Sequence, residues 1–77
     1  EEKTELYQAV MNLPKKYRIA IYLYYYEEYS TKEIAEILDI KEATVRAQLM
    51  RGRDVLRKKN LMLRLKKTIA LILSGLI

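Results

Sequence analysis

Cysteine and histidine are both missing from the 77 residues. Without cysteine there is neither a disulfide framework nor a thiolate metal site, and the redox compartment stays open. Losing both residue types removes the usual general base at neutral pH, the usual nucleophile and the two commonest transition-metal ligands. Neither an enzyme nor a resident cofactor is expected. Proline and glycine are scarce, with Pro14, Gly52 and Gly75 as the only punctuation, and no internal repeat or low-complexity tract breaks the chain. Long apolar runs are lacking too: the uncharged stretch from Thr68 to Ile77 is far shorter than the roughly 20 residues a membrane-spanning helix needs. The opening residues Glu1 and Glu2 do not begin as a secretory signal does. A start at Glu1 fits a piece of a longer protein.

Charge is present but unevenly placed. Residues 1–45 carry six Lys/Arg against nine Asp/Glu, a net of −3, whereas residues 46–77 carry nine Lys/Arg against Asp54 alone, a net of +8. Clustered cations release condensed counterions when they meet phosphates, so the second half is expected to face a polyanion or an anionic surface. About half of the residues are apolar, enough for one small helical core of marginal stability.

The apolar spacing predicts helices throughout. Leu6, Val10 and Leu13 line one face of a first helix that ends at Leu13, because a residue before proline disfavours the α region. A second helix is expected from Lys15 to Tyr26, with Pro14 suited to its first turn. Tyr17, Ala20, Ile21 and Tyr24 form its inward stripe, Leu23 flanks that stripe, and Tyr22, Tyr25 and Tyr26 lie on other sides. Five of the seven tyrosines fall within Tyr22 to Tyr29, expected to pack their rings while their hydroxyls stay wet. The stretch STKE, Ser30 to Glu33, reads as a capping box that starts a third helix with Ile34, Ala35 and Leu38 inward. Asp39 is a turn residue that tolerates positive φ, and Ile40 plugs the corner. A fourth helix begins near Lys41 or Glu42, with Val45, Leu49, Gly52 and Leu56 as a narrow seam. Asn60 either caps a further helix or decorates a continuation of the fourth. After it, Met62, Leu65, Ile69, Ile72 and Leu76 recur in a heptad-like pattern.

A short capped helix, a turn at Asp39 and a longer cationic helix have the layout of a helix-turn-helix. Small Ala35 lets the second helix cross closely, Ile40 fills the angle, and Val45 anchors it. Opposite the seam stand Arg46, Ala47, Met50 and Arg51, with Thr44 near the helix start. Arginine can bond guanine bidentately, Met and Ala can touch a thymine methyl, and Thr44 can reach phosphate or base. Lys41, Lys32 and the helix start at Thr31 would hold the DNA backbone. A lone arginine is more often a solvated surface residue; several on one helix-turn-helix face favour DNA.

Residues 13–56, LPKKYRIAIYLYYYEEYSTKEIAEILDIKEATVRAQLMRGRDVL, resemble region 4 of bacterial sigma factors, nearest the extracytoplasmic-function group. The shared elements are the LP..YR opening, the YS..EIAEIL entry to the turn and the TVR..L.R.R..L helix. The resemblance implies an all-α domain over residues 1–59, a helix-turn-helix without a wing, followed by an amphipathic, apolar helix over residues 60–77 that has no counterpart in it. It implies a cytoplasmic bacterial protein that reads the minus-35 element of promoter DNA while docked on the β flap of RNA polymerase. Arg46, Ala47, Met50 and Arg51 then fall on the base-reading face, with Thr44, Lys41 and Arg53 near the backbone. Leu6, Val10 and Tyr22 belong to the expected flap surface, and an anti-sigma factor is a further candidate partner. Gln48 and Gly52 stand where the family often has a basic residue and alanine, so one phosphate contact is absent and the helix is locally weakened, by about 1 kcal/mol for glycine against alanine.

Two other readings fit parts of the pattern. A LuxR-type regulator shares EIA..L.I....TV, although the LP..YR opening disfavours it. Alternatively the chain is chiefly a helical interaction module whose tail seam pairs with a second copy, folds over the DNA-reading face or mimics an anti-sigma contact, against the plainer expectation that the tail packs on its own domain.

Overall fold

The computed structural model describes residues 2–75, which form helices and turns only. Helix α1 spans Glu2–Met11, α2 Lys15–Ile21, α3 Thr31–Leu38, α4 Glu42–Lys58 and α5 Met62–Ser74. Between α2 and α3 the chain takes one π-helical segment, Tyr22–Tyr26.

Local chemistry sets most of the helix ends. Helix α1 stops at Met11, two residues before the expected Leu13, because the Leu13 amide donates to the Val10 carbonyl in a tighter turn (3.1 Å) ahead of Pro14. At α3 the capping box forms as expected: the Ser30 amide donates to Glu33 Oε1 (2.8 Å) and the Glu33 amide to Ser30 Oγ (3.1 Å). The Ser30 amide foremost, and then the Ser30 hydroxyl, hold the Glu33 carboxyl below its ordinary pKa. A group depressed in the folded state stabilises above its unfolded pKa and loses that contribution as pH falls through the folded one. Glu33→Gln is therefore expected to melt below the wild type at neutral pH. The gap should narrow as the solution is acidified beneath the ordinary glutamate value; parallel melting curves down to acid pH would contradict this.

The two later breaks share one geometry. Asp39 takes φ 55°, the Ile40 amide donates to the Ala35 carbonyl (3.0 Å), and the Asp39 amide points at Glu36 (3.4 Å). Asn60 takes φ 58°, with Leu61 donating to Leu56 (2.8 Å) and Asn60 to Arg57 (2.9 Å). Each is a left-handed stop whose next residue folds back apolar onto the helix it ended. Asn60 thus ends α4 and does not cap α5.

The second helix departs from the expected single span. From Tyr22 its hydrogen bonds widen, the Glu27 amide reaching the Tyr22 carbonyl (3.2 Å) and the Tyr29 amide reaching Leu23 (3.0 Å), with Glu28 at φ 63°. The wider turn rotates the later tyrosines away from their regular positions. Tyr24 and Tyr25 meet edge to face at 5.0 Å, and Tyr22 stacks on Tyr26 at 5.7 Å. The Tyr22 hydroxyl donates to Glu27 (2.7 Å), which raises its pKa, and burial raises that of Tyr26.

One continuous core joins all the helices. Helix α1 contributes Leu6, Ala9 and Val10, α2 Ala20 and Ile21, α3 Ile34 and Ala35, and α4 Val45, Leu49 and Leu56. Leu6 and Val10 are only 3% and 6% exposed, so they do not stand on an outer flap-facing surface as the sequence reading had them. Leu61, Met62 and Leu65 belong to the same core, with Ile69 packed against it. The first part of the tail seam is thus used within the chain; the Ile72 side chain and Leu76 lie outside the described residues.

Gly52 explains how closely α4 approaches α2. A Cβ built there would lie 2.9 Å from Cγ1 of Ile21 and 3.5 Å from Cβ of Tyr17. Ile21 is fully buried and has little room to yield. Gly52→Ala gains about 1 kcal/mol of helix propensity against an overpacking cost of about 1–3 kcal/mol. The variant is therefore expected to be less stable in urea by about 1 kcal/mol, and a raised unfolding midpoint would show that Ile21 yields to the added methyl at little cost.

Candidate nucleic-acid interface

Helix α4 packs chiefly on α2 and α3 through Val45, Leu49, Gly52 and Leu56, all buried. The 3.6-residue repeat then fixes what faces away. Thr44, Arg46, Met50 and Arg51 are exposed and Ala47 is half-buried on the same side. Met50 is 55% exposed, a large apolar group in water beside arginines. Lys32 and Lys41 are exposed at the start of α3 and just before α4. Arg51, Lys32 and Lys41 form no ion pair among the described residues.

Three of the expected DNA-contacting residues are already bonded within the chain: Thr31, Arg46 and Arg53. The Thr31 hydroxyl donates to Glu42 Oε2 (2.6 Å), linking the start of α3 to the first turn of α4. Arg53 is half-buried and points toward the π segment, its Nε donating to the Tyr25 hydroxyl (2.7 Å). Its guanidinium lies over Tyr24 and Tyr25 at 5.4 and 5.5 Å, a cation–π pair that ties α4 to the bulge. The Tyr25 hydroxyl is thus bonded to protein, not left wet.

Some features of this surface were missed in the sequence. Glu42 accepts from Arg46 Nη2 (2.9 Å) as well as from Thr31; the Glu42–Arg46 spacing of four was a signal for that pair, whereas nothing local announced Thr31. Ala43 is exposed in the first turn of α4. Asp54 places a carboxylate further along the outer face and pairs with Arg57, so the cationic surface is interrupted there. Lys41 makes no side-chain cap at α4, which was legible in the sequence because an ammonium group only donates and is a poor N-cap. The Gln48 carbonyl oxygen is buried without a hydrogen-bond partner among the described residues.

A capped short helix, a left-handed corner and a longer helix presenting arginines, methionine and small residues define a helix-turn-helix module. The family described as "Sigma-70, region 4" matches residues 3–56, and the chain belongs to that family. It is 44% identical over 59 residues to the "ECF RNA polymerase sigma factor SigW" of Bacillus subtilis (strain 168), a match covering 77% of this chain and 32% of that protein. The chain thus spans about a third of the length of the curated relative it matches. No solved structure matches. Helix α5 lies beyond the residues matched to the family. No helix among the described residues is long and apolar enough to cross a membrane.

Proposed function

We propose that this chain is the promoter-reading module of an RNA polymerase sigma factor, a non-enzymatic part in transcription initiation that recognises the minus-35 element. The outward face of α4 carries the proposal: an exposed row of Thr44, Arg46, Met50 and Arg51 with Ala47 between, on a helix whose opposite side is locked into the core. Arg46 and Arg51 suit guanine edges, and Met50 and Ala47 suit thymine methyls. Lys32, Lys41 and the Thr44 hydroxyl suit phosphates. Docking on the β flap of the polymerase then falls to exposed residues of α1 and the π segment, Tyr7, Met11 and Tyr22, in place of buried Leu6 and Val10.

Selection of duplexes from a random pool, with and without the isolated β flap, tests this reading. One short sequence class is expected to be enriched, more strongly with the flap, and its affinity should fall steeply with salt. Equal recovery of all sequences would refute it. The LuxR-type alternative gains nothing from the family match.

A further inference from the structure

We infer that Thr31, Glu42 and Arg46 form a positioning relay in which Thr31 and Glu42, without touching DNA, set the base preference of Arg46. This rests on the reading of α4 as the base-reading helix. The observation behind it is that a single oxygen, Glu42 Oε2, accepts from two groups: the Thr31 hydroxyl at 2.6 Å and Arg46 Nη2 at 2.9 Å. Thr31 belongs to α3 and the other two to α4, so the relay spans the turn of the helix-turn-helix. Glu42 is the more enclosed of the ion pair, its side chain 36% exposed against 63% for Arg46.

A carboxylate on a DNA-facing surface is unfavourable by itself, because phosphates repel it. Here its charge is directed inward to Thr31 and along the helix to Arg46. Thr31 has a short side chain fixed near the helix start, so it holds Glu42 in one rotamer, and Glu42 in turn restrains a long flexible arginine. One guanidinium N–H is used in the pair and four remain, enough for the two acceptors on the major-groove edge of guanine. An arginine restrained before binding loses less side-chain freedom when it docks, and a displaced one loses the bidentate geometry. The relay therefore acts on discrimination between bases more than on general attraction to DNA. It also gives the Thr31 hydroxyl a role other than phosphate contact.

The test uses the whole chain and the duplex enriched by selection, compared with duplexes changed at one base pair at a time. Arg46→Ala identifies the position that Arg46 reads. Thr31→Val, which keeps the shape and removes the hydroxyl, is expected to cut discrimination at that position about tenfold while the salt dependence of binding stays that of the wild type. Glu42→Gln should do the same in part, and Thr31→Ser should restore the wild-type ratio. In an Arg46→Ala background, Thr31→Val should change nothing further, a non-additivity that general weakening of the fold would not produce. Melting curves of each variant show that it is folded.

Unchanged discrimination in both Thr31→Val and Glu42→Gln would overturn the relay. So would a uniform loss across all duplexes with a shallower salt slope, since that marks a direct phosphate contact by Thr31. A wild-type chain with no preferred duplex would instead overturn base reading by α4, and the relay with it.

Discussion

Ending the chain at Asn60 is expected to lower the stability of the domain by about 3 kcal/mol and its melting temperature by about 15 °C. The deletion removes Leu61, Met62 and Leu65, which are 2%, 9% and 0% exposed and lie in the same core as α1 and α4. Full burial of three such side chains is worth about 5–9 kcal/mol by area. Part of that is offset because the tail no longer has to be ordered, and part because the unfolded chain is itself partly compact. The ion pair between Arg64 and Glu5 adds little, being largely exposed on the Glu5 side. A domain of this length has only about 4–12 kcal/mol in all, so the shortened chain should lie near its unfolding threshold. Urea unfolding of the two chains decides it, and coincident midpoints would show that the tail contributes nothing. Sedimentation of both should give monomers, since Met62 and Leu65 of the tail seam are already buried within the chain.

Arg51→Ala is expected to have the largest effect on DNA. Arg51 is exposed on α4 and pairs with no carboxylate among the described residues, so its guanidinium is available to a base edge. Loss of a bidentate contact costs about 1–3 kcal/mol, roughly a fivefold to hundredfold drop in affinity for the preferred duplex. The drop should be smaller for duplexes already changed at the position it reads. Lys41→Ala supplies the contrast: removal of a phosphate contact weakens binding to every sequence alike and makes the salt slope shallower by about 1. If Arg51→Ala behaved as Lys41→Ala is expected to, Arg51 would be a backbone contact and base reading would rest on Arg46 and Met50.

Much of the architecture was legible because it depends on groups within four or five residues of each other. Ser30 and Glu33 announce the start of α3, Asp39 its left-handed end, and the spacing of Val45, Leu49, Gly52 and Leu56 the inward side of α4. Once that side is known, the exposure of Arg46, Met50 and Arg51 follows from helical periodicity alone. The second helix was harder to read. Its apolar spacing fits a regular helix, and the π segment coincides with contacts no local pattern announces, Tyr24 and Tyr25 lying under Arg53 of α4.

By itself the sequence determined α3, the inward side of α4, the turn between them, and which residues α4 shows to solvent, since each depends on local backbone chemistry. Only the tertiary structure decided which cations on that surface are available. Arg53 is drawn onto Tyr25, 28 residues away, and Thr31 meets Glu42 across the turn, 11 residues on. Leu6 and Val10 are enclosed in a core to which Leu61 and Leu65 also belong. A long polar side chain has many rotamers of similar energy, and a partner brought near by packing selects one; periodicity fixes the direction in which a residue leaves its helix, but not what it meets there.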